Sequence, residues 1–179
     1  MLPGSTEWPR IARLRTARLS LDPLRVEDAD AMLPVLGDAA LYEYTGGEAP
    51  TVEQLRRRYT AQVAGGSADG AQWWLNWVIR LRPSGEPAGY VQASVEQRDG
   101  MRVAEVAWVV GVRHQGSGLA AEAGTAMLDW LATREVRRII AHVHPQHTAS
   151  RRVAARLGLT ETTLVQDGEA RWERSLEQR

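Results

Sequence analysis

The stretch VVGVRHQGSGLAAEA, from Val109 to Ala123, joins an apolar β-type run to a sequence with helical periodicity. Gly116 and Gly118 lie at the junction, where the first N–H groups of a helix lack intrahelical partners and carry partial positive charge. Glycine lets an anion approach such a backbone closely. The stretch therefore predicts a binding site for a phosphate or pyrophosphate. The simpler alternatives are a plain strand-to-helix turn and, without the helix that follows, a flexible linker.

The composition of the 179-residue chain excludes several classes of protein. It has 22 basic, 22 acidic and 44% apolar residues, without the basic excess of a nucleic-acid-binding surface. Because cysteine is absent, disulfides, thiolate metal sites and cysteine nucleophiles are excluded. All 22 basic residues are arginine, which excludes a Schiff-base lysine and a Walker A loop. The sequence shows no signal-peptide core and no membrane-spanning apolar run, so we expect a cytoplasmic protein.

Sequence periodicity predicts a mixed α/β arrangement. Alternating and β-branched runs predict strands at 17–24, 73–82, 88–97, 102–112, 136–143, 159–165 and 170–176. Helical spacing and capping residues predict one or two helices over 26–44 and single helices at 52–64, 120–132 and 148–158. A three-stranded meander thus precedes a βαβ crossover with parallel strands. We predict one α+β domain over residues 1–179, with a mixed antiparallel and parallel sheet flanked by about four helices.

Two kinds of nucleotide-containing ligand fit the glycines. Gly116-x-Gly118-x-x-Ala121 satisfies the looser dinucleotide fingerprint of a Rossmann fold. Its position argues against that interpretation, because most of the chain precedes it and Arg113-His114-Gln115 separate it from the strand. The next strand also ends in His142-Val143-His144, without the acidic residue that would bind the ribose. An NAD(P)-dependent oxidoreductase is therefore the weaker hypothesis.

Written as Arg113-x-x-Gly116-x-Gly118, the same residues resemble the acyl-CoA-binding motif of the GNAT N-acetyltransferases. Other segments resemble that family in the same order. RTARLSLDPLRVEDADAM is similar to its first strand and helix, AEVAWVV to its central strand, and HPQHTASRRVAARLGL to its late Asn-x-x-Ser and Leu-Gly-Phe motif. The most similar branch is that of the ribosomal-protein N-terminal acetyltransferases, the Rim type. The resemblance implies a GNAT-like domain with a splay between central strands and with acetyl-CoA as acyl donor.

The resemblance also implies where CoA binds. In the family, backbone amides of the glycine loop hold the CoA pyrophosphate, and the end of the preceding strand binds the pantetheine arm. The matching residues here are Val109, Val110, Gly111, Arg113, His114, Gln115, Gly116, Ser117, Gly118, Leu119, Ala120, His147 and Ser150. His147 departs from the asparagine usual in the family. It keeps a hydrogen-bonding group at that position and adds one that titrates near neutral pH.

Acetyl transfer to an amine requires removal of an ammonium proton, a donor for the developing oxyanion and a proton for the departing thiolate. Because the chain has no cysteine, direct attack in a ternary complex is favoured over a cysteine-bound acyl intermediate. The resemblance implies an oxyanion donor at the Val110 N–H, a general base at Glu105 and a proton donor at Ser150. The alternatives are a merely exposed carboxylate at Glu105 and helix capping by Ser150. Glu122 is a rival base whose alternative role is to support its helix.

The acceptor pocket of the family draws on the early helices and the loop between them. The resemblance therefore implies substrate contacts from four residues that can bind a cationic amine, Tyr42, Glu43, Tyr44 and Glu48. The alternative interpretation is that these four residues only belong to a solvent-exposed helix end and loop. Trp77 is a further candidate for lining the pocket, although core packing explains most of the tryptophan-rich strand around it.

Several partners and functions remain open from the sequence. The acceptor is either a protein N-terminal α-amine or a small-molecule amine, and a homodimer is plausible from the family alone. We expect neither a nucleic-acid partner nor a membrane. A metal site formed by His142, His144 and His147 is disfavoured, because no carboxylate partner is evident. A non-catalytic acyl-CoA sensor is the alternative to an enzyme.

Overall fold

The computed structural model describes residues 10–176, which form one eight-stranded sheet with helices on both faces. The strands are β1 (Leu14–Arg15), β2 (Leu19–Pro23), β3 (Gln72–Leu81), β4 (Pro87–Arg98), β5 (Met101–Val110), β6 (Val136–Val143), β7 (Thr160–Gln166) and β8 (Glu169–Ser175). The helices are α1 (Asp28–Leu36), α2 (Val52–Gln62), α3 (Leu119–Ala132) and α4 (Thr148–Arg156), with 3₁₀ turns at Ala39–Tyr42 and Val112–His114. The predicted α+β fold is confirmed, and β1 is an additional short strand.

The sheet has the strand order β1-β2-β3-β4-β5-β6-β8-β7, and its parallel pair is β5 with β6. This pairing starts at Arg102 opposite Val136 and ends at Glu105 opposite Ile140. Because β5 continues to Val110 and β6 to Val143, the two strands separate beyond Glu105. We call this gap the splay. It is the opening that the family resemblance implies.

Alternation along the strands divides the core between the two faces of the sheet. Trp73, Leu75 and Trp77 of β3 point to the larger core, which α3 and α4 cover. Trp130 of α3 meets Trp77 edge-on there, with ring centroids 5.5 Å apart. On the opposite face, Val78 packs in a smaller core beneath α1 and α2. Each face therefore has its own helical layer, and the splay connects the two sides.

The terminal hairpin is inserted so that β8, and not β7, pairs with β6. Ala170 and Trp172 of β8 are buried in the larger core, whereas Leu164 and Val165 of β7 are exposed. Burial of alternate β8 side chains thus explains why β7 is left at the edge.

The prediction that the N-terminus contains no signal peptide concerns in part residues 1–9, which lie outside the described residues. Within residues 10–176, no helix is long and apolar enough to cross a membrane.

Candidate active site

Gly116 and Gly118 form the turn that opens α3. Their φ angles are +81° and +80°, which L side chains rarely adopt. Gly118 is the N-cap residue of this 14-residue helix and provides no side-chain cap. The side chains of Leu119 and Ala120, the first residues of α3, are directed to the larger core. The first turn therefore offers backbone N–H groups to an external anion, an arrangement that fits a pyrophosphate.

Two arginines from distant segments border this turn. A Cβ placed on Gly118 would lie 3.7 Å from Arg18 and 3.8 Å from Arg156. Arg18 also donates through Nε to Glu122 at 2.6 Å, and the Thr16 hydroxyl donates to the same carboxylate. Burial opposes ionisation of Glu122, but the hydrogen bonds and the Arg18 charge outweigh it and lower the pKa of Glu122. Glu122 thus ties α3 to the β1–β2 turn and holds Arg18 beside the loop, which favours its structural role.

The side chains of the predicted CoA loop are mostly engaged within the loop and its surroundings. The Ser117 hydroxyl donates to the His114 carbonyl at 3.0 Å. Arg113 forms an ion pair with Glu86 and donates through Nε to His114 Nε2 at 3.2 Å, although its side chain is 72% exposed. Burial and then the Arg113 charge lower the pKa of His114. These contacts fix the loop conformation and leave its backbone as the surface directed at a ligand.

The end of β5 directs one backbone N–H into the splay. The Gly111 N–H donates to the Ala88 carbonyl of β4 at 2.8 Å. Because successive residues of an antiparallel strand direct their N–H groups to opposite sides, the Val110 N–H points away from β4. The Val110 carbonyl accepts from Gln115 Nε2 at 2.9 Å, which fixes the strand end to the loop. Val109 pairs with β4, and its side chain packs on the α1–α2 side.

Glu105 lies where the splay begins. Its carboxylate oxygen is 3.2 Å from Nδ1 of His142, which lies two residues beyond Ile140, the last residue of β6 that pairs with β5. Because an ionised carboxylate only accepts, this contact is a hydrogen bond in the His142 tautomer with its proton on Nδ1. Nε2 of His142 is buried, with no hydrogen-bond partner among the described residues. The Glu105 side chain remains 52% exposed, so it is oriented by His142 and still accessible to a substrate.

Ser150 lies in the first turn of α4 and does not cap it. The cap is His147, whose Nδ1 accepts from the Ser150 N–H at 3.4 Å. The Ser150 hydroxyl accepts from the indole N–H of Trp108 on β5 at 3.1 Å. This bond links β5 to α4, the helix that follows β6 after a loop of four residues. Since Trp108 donates to the hydroxyl oxygen, the hydroxyl proton of Ser150 is available to another acceptor.

Tyr44 brings the early loop into contact with the late motif. Its ring stacks on His147 with centroids 4.6 Å apart and lies 5.4 Å from the ring of His144. Burial lowers the pKa of His147; the nearby Glu43 opposes this shift, and His144 adds to it. A neutral ring agrees with Nδ1 acting as an acceptor. A predicted acceptor residue and a predicted CoA residue are therefore neighbours.

Tyr42 and Glu48, two further predicted acceptor residues, are not part of this contact. Tyr42 donates its hydroxyl proton to the Leu36 carbonyl at 2.7 Å. Burial raises the pKa of Tyr42, against the effect of the Arg58 charge. Glu48 is exposed in the loop before α2. These side chains leave the rim of the early loop polar and accessible.

The structure places most of the Trp77 side chain in the core. Its side chain is 0% exposed, and its indole N–H donates to the Ala12 carbonyl at 2.8 Å. The ring packs against α3 in the larger core, on the face of the sheet opposite to Glu105. Alternation directs the ring there, so Trp77 is mainly a core residue, although it also borders the cavity of about 230 Å³ between α2 and the sheet.

The fold also assembles residues that sequence patterns did not identify. Arg18, Arg156, Trp108 and His142 each reach the site from elements that are distant in the chain. The only sequence signal was the order of the strands, which places His142 on the neighbour of the Glu105 strand. Among residues 10–176, no group of His, Cys, Asp or Glu side chains is arranged to hold a metal ion.

Comparisons with known proteins agree with this geometry. The family model described as an acetyltransferase (GNAT) domain matches residues 18–160. The chain is 31% identical over 160 residues to mycothiol acetyltransferase from Streptomyces avermitilis, a match that covers 89% of this chain and 45% of that protein. The chain spans about half the length of the curated relatives that it matches, 45% and 49%.

Two solved structures illustrate the shared fold. An acetyltransferase from Agrobacterium tumefaciens is 26% identical, with a TM-score of 0.70 over 96% of this chain and 99% of that one. RimL, a ribosomal alpha-N-protein acetyltransferase in complex with coenzyme A, is 17% identical, with a TM-score of 0.74 over 92% and 98%. The likeness to RimL concerns the fold alone. Because the family model covers well over half of the sequence, the chain belongs to the GNAT acetyltransferase family, whose members use acetyl-CoA.

Proposed function

We propose that this chain transfers the acetyl group of acetyl-CoA to a primary amine by direct attack in a ternary complex. The observation that supports this most is the splay beyond Glu105, which lies between the glycine turn of α3 and the face of the sheet under α1 and α2. The turn, with Arg18 and Arg156 beside it, holds the CoA pyrophosphate. The end of β5 binds the pantetheine arm, and the thioester lies in the splay.

In this proposal Glu105 is the general base. Its exposed carboxylate takes a proton from the ammonium group of the acceptor, directly or through a water molecule. The Nδ1–H of His142 orients that carboxylate at 3.2 Å. The neutral amine then attacks the thioester carbonyl carbon, so the C–N bond forms and the C–S bond breaks with CoA thiolate as the leaving group.

Two further groups act on the developing charges. The Val110 N–H, directed into the splay, donates to the oxyanion of the tetrahedral intermediate. The Ser150 hydroxyl, held by the Trp108 indole at 3.1 Å, donates its proton to the departing thiolate and regains one, through water, from the nitrogen that becomes the amide. His147 caps α4 and so keeps Ser150 in position.

The acceptor is a protein N-terminal α-amine or a small-molecule amine, approaching past Tyr44, Glu43 and Glu48. The order of the sequence motifs supports placing the chain in the Rim-type branch. The proposal includes a cytoplasmic location and a homodimer, both of which rest on the resemblance to that family.

The direct test is acceptor-dependent release of thiol from acetyl-CoA. The panel contains spermidine, an aminoglycoside, a tripeptide with a free N-terminus and the free amino acids, with CoA and NADPH tested separately by thermal shift. We expect stabilisation by CoA and thiol release with at least one amine. Stabilisation by CoA without thiol release from any amine would indicate a sensor. Stabilisation by NADPH alone would indicate an oxidoreductase.

The base is tested by Glu105→Gln, with Glu169→Gln on the β7–β8 hairpin as the matched control. Glutamine keeps an acceptor for the His142 N–H but cannot take a proton. We expect kcat for the best acceptor to fall about 100-fold in Glu105→Gln and to stay unchanged in the control. An unchanged kcat in Glu105→Gln would remove the assignment of the base without affecting the assignment of the fold.

A further inference from the structure

A cavity of about 230 Å³ lies between α2 and the β3–β4 part of the sheet, on the same face as Glu105. Its polar lining comes from α2 and from the face of the sheet below, from Arg58, Tyr59, Gln62, Asn76, Tyr90 and Gln92. The volume is below the range of about 300–1,000 Å³ that is common for drug-sized ligands. The cavity therefore fits a small molecule or one end group of a larger one.

The strand register places this cavity next to the reaction centre. Gln92 lies opposite Ala107 of β5, and the next residue of β4 on the same face, Ser94, lies opposite Glu105. Two residues along a strand and one strand across correspond to about 8 Å between the Cα atoms of Gln92 and Glu105. Tyr90 lies two residues further along β4, opposite Val109, so the cavity begins about 8 Å from Glu105 and extends toward the end of β5.

Arg58 is the charged group of this cavity, since the other lining side chains are neutral. Its charge acts on Tyr42, Tyr59 and Tyr90, where it opposes the increase in pKa caused by burial. In the described part of the chain no carboxylate forms an ion pair with Arg58, whereas Arg56 on the same helix binds Asp30 at 2.8 Å. The cavity therefore carries a positive charge without a counter-ion from the chain.

Such a charge selects among amine acceptors. A guanidinium binds a carboxylate through two parallel hydrogen bonds, and tyrosine and amide side chains around it can complete the contacts. The same guanidinium repels a second ammonium group. On the basis of the proposed function, we infer that the acceptor carries a carboxylate besides its reacting amine and that Arg58 binds this carboxylate. Among acceptors that carry a carboxylate, a small molecule of the amino-acid type matches the volume of the cavity.

The test compares each free acid with its own carboxamide. Straight-chain amino acids from glycine to 6-aminohexanoate, and the L-α-amino acids, are paired with the matching amides. For each pair we measure kcat and KM for acetylation, and thermal stabilisation in the presence of CoA. We expect at least one free acid to have a kcat/KM at least tenfold above that of its amide, through a lower KM, because hydrogen bonds to charged groups are the stronger ones.

Arg58→Gln should remove this preference by raising KM for the acid without changing KM for the amide. Arg57→Gln is the matched control, since Arg57 is an adjacent exposed arginine of α2 outside the cavity lining. The inference is overturned if no free acid binds or reacts better than its amide, or if Arg57→Gln has the same effect as Arg58→Gln. Acetylation of amides or polyamines alone would overturn it and leave the proposed function intact. Absence of thiol release from every amine would contradict the proposed function. In that case the inference about the cavity is still tested by whether the free acids stabilise the protein more than their amides do.

Discussion

The two sides of the splay are constructed from different parts of the polypeptide. The donor side is one continuous stretch, from the end of β5 to the first turn of α3, and it presents mainly backbone groups. The acceptor side is the face of β3 and β4 with α2 and the loop before it. It presents side chains from separate segments, such as Tyr44, Arg58 and Tyr90, beside Glu105 of β5.

This difference indicates how each side responds to substitution. The shape of the donor side depends on backbone conformation, so one added methyl group can remove acetyl-CoA binding. The acceptor side depends on the chemistry of its side chains, so a substitution there changes which amine is used and leaves the donor site intact. Three experiments test this contrast, in order of decreasing expected effect.

The largest effect is expected at Gly89, where β4 approaches the end of β5 most closely. A Cβ placed on Gly89 would overlap the Val109 carbonyl oxygen and lie 2.9 Å from the Val110 Cα atom. Since both neighbours are backbone, the strand end itself must shift. We expect Gly89→Ala to lower the free energy of unfolding by about 3 kcal/mol and to weaken acetyl-CoA binding.

Urea unfolding and titration with acetyl-CoA measure the two effects. Gly100→Ala, in the β4–β5 hairpin turn, is the control because a Cβ there would meet no atom within 4 Å. A folded Gly89→Ala protein with wild-type affinity for acetyl-CoA would contradict the dependence of the donor side on backbone conformation. It would mean that the donor side tolerates displacement of its backbone.

An intermediate effect is expected for Gly116→Ala in the glycine turn. Gly116 and Gly100 have similar φ angles, +81° and +75°, and a Cβ on either would meet no atom within 4 Å. Both alanine variants should therefore lose about 1 kcal/mol of stability through the left-handed conformation. Only Gly116→Ala should also weaken acetyl-CoA binding, by about tenfold, because its methyl group enters the space above the helix terminus.

Isothermal titration with acetyl-CoA and urea unfolding of both variants separate these contributions. Equal losses of affinity in Gly116→Ala and Gly100→Ala would attribute the effect to general destabilisation. Acceptor preference should be the same in both variants, since neither glycine lies on the acceptor side.

The donor side could be predicted from the sequence because its signals are local. The apolar run of β5, the glycines with positive φ and the periodicity of α3 lie within one short stretch. Each of these signals indicates a local backbone conformation. The partners of that stretch could not be predicted in the same way. Arg18 and Arg156 reach Gly118 only because β2 and α4 pack beside α3.

The residues of the acceptor side could be identified only once the fold was known. Alternation groups Trp77 with Trp73 and Leu75, but periodicity does not tell which face lies under α3 and which carries the cavity. Similarly, α2 has three consecutive arginines, and only the docking of the helix distinguishes Arg58, which lines the cavity, from Arg56, which pairs with Asp30.

The smallest effect is expected at His147, where the two sides meet. Its Nδ1 accepts from the Ser150 N–H only when that nitrogen carries no proton. Burial lowers the pKa of His147 below the ordinary value of about 6.5, with Glu43 opposing and His144 assisting. Below that ordinary value the unfolded chain binds a proton that the folded chain does not. The stabilisation is therefore complete above about pH 6.5 and is lost as the pH falls through the lower pKa of the folded state.

His147→Asn tests this dependence, because asparagine is a good N-cap residue that does not titrate in this range. We expect the variant and the wild type to have similar free energies of unfolding at pH 8. At pH 5 the variant should be more stable, by up to about 1 kcal/mol, because the unfolded wild type binds a proton at His147 that the folded wild type takes up only at lower pH. Urea unfolding from pH 5 to 8 measures the difference. Parallel curves for the two proteins would mean that protonation of His147 does not weaken α4, and the contact with Tyr44 would then be the main role of this histidine.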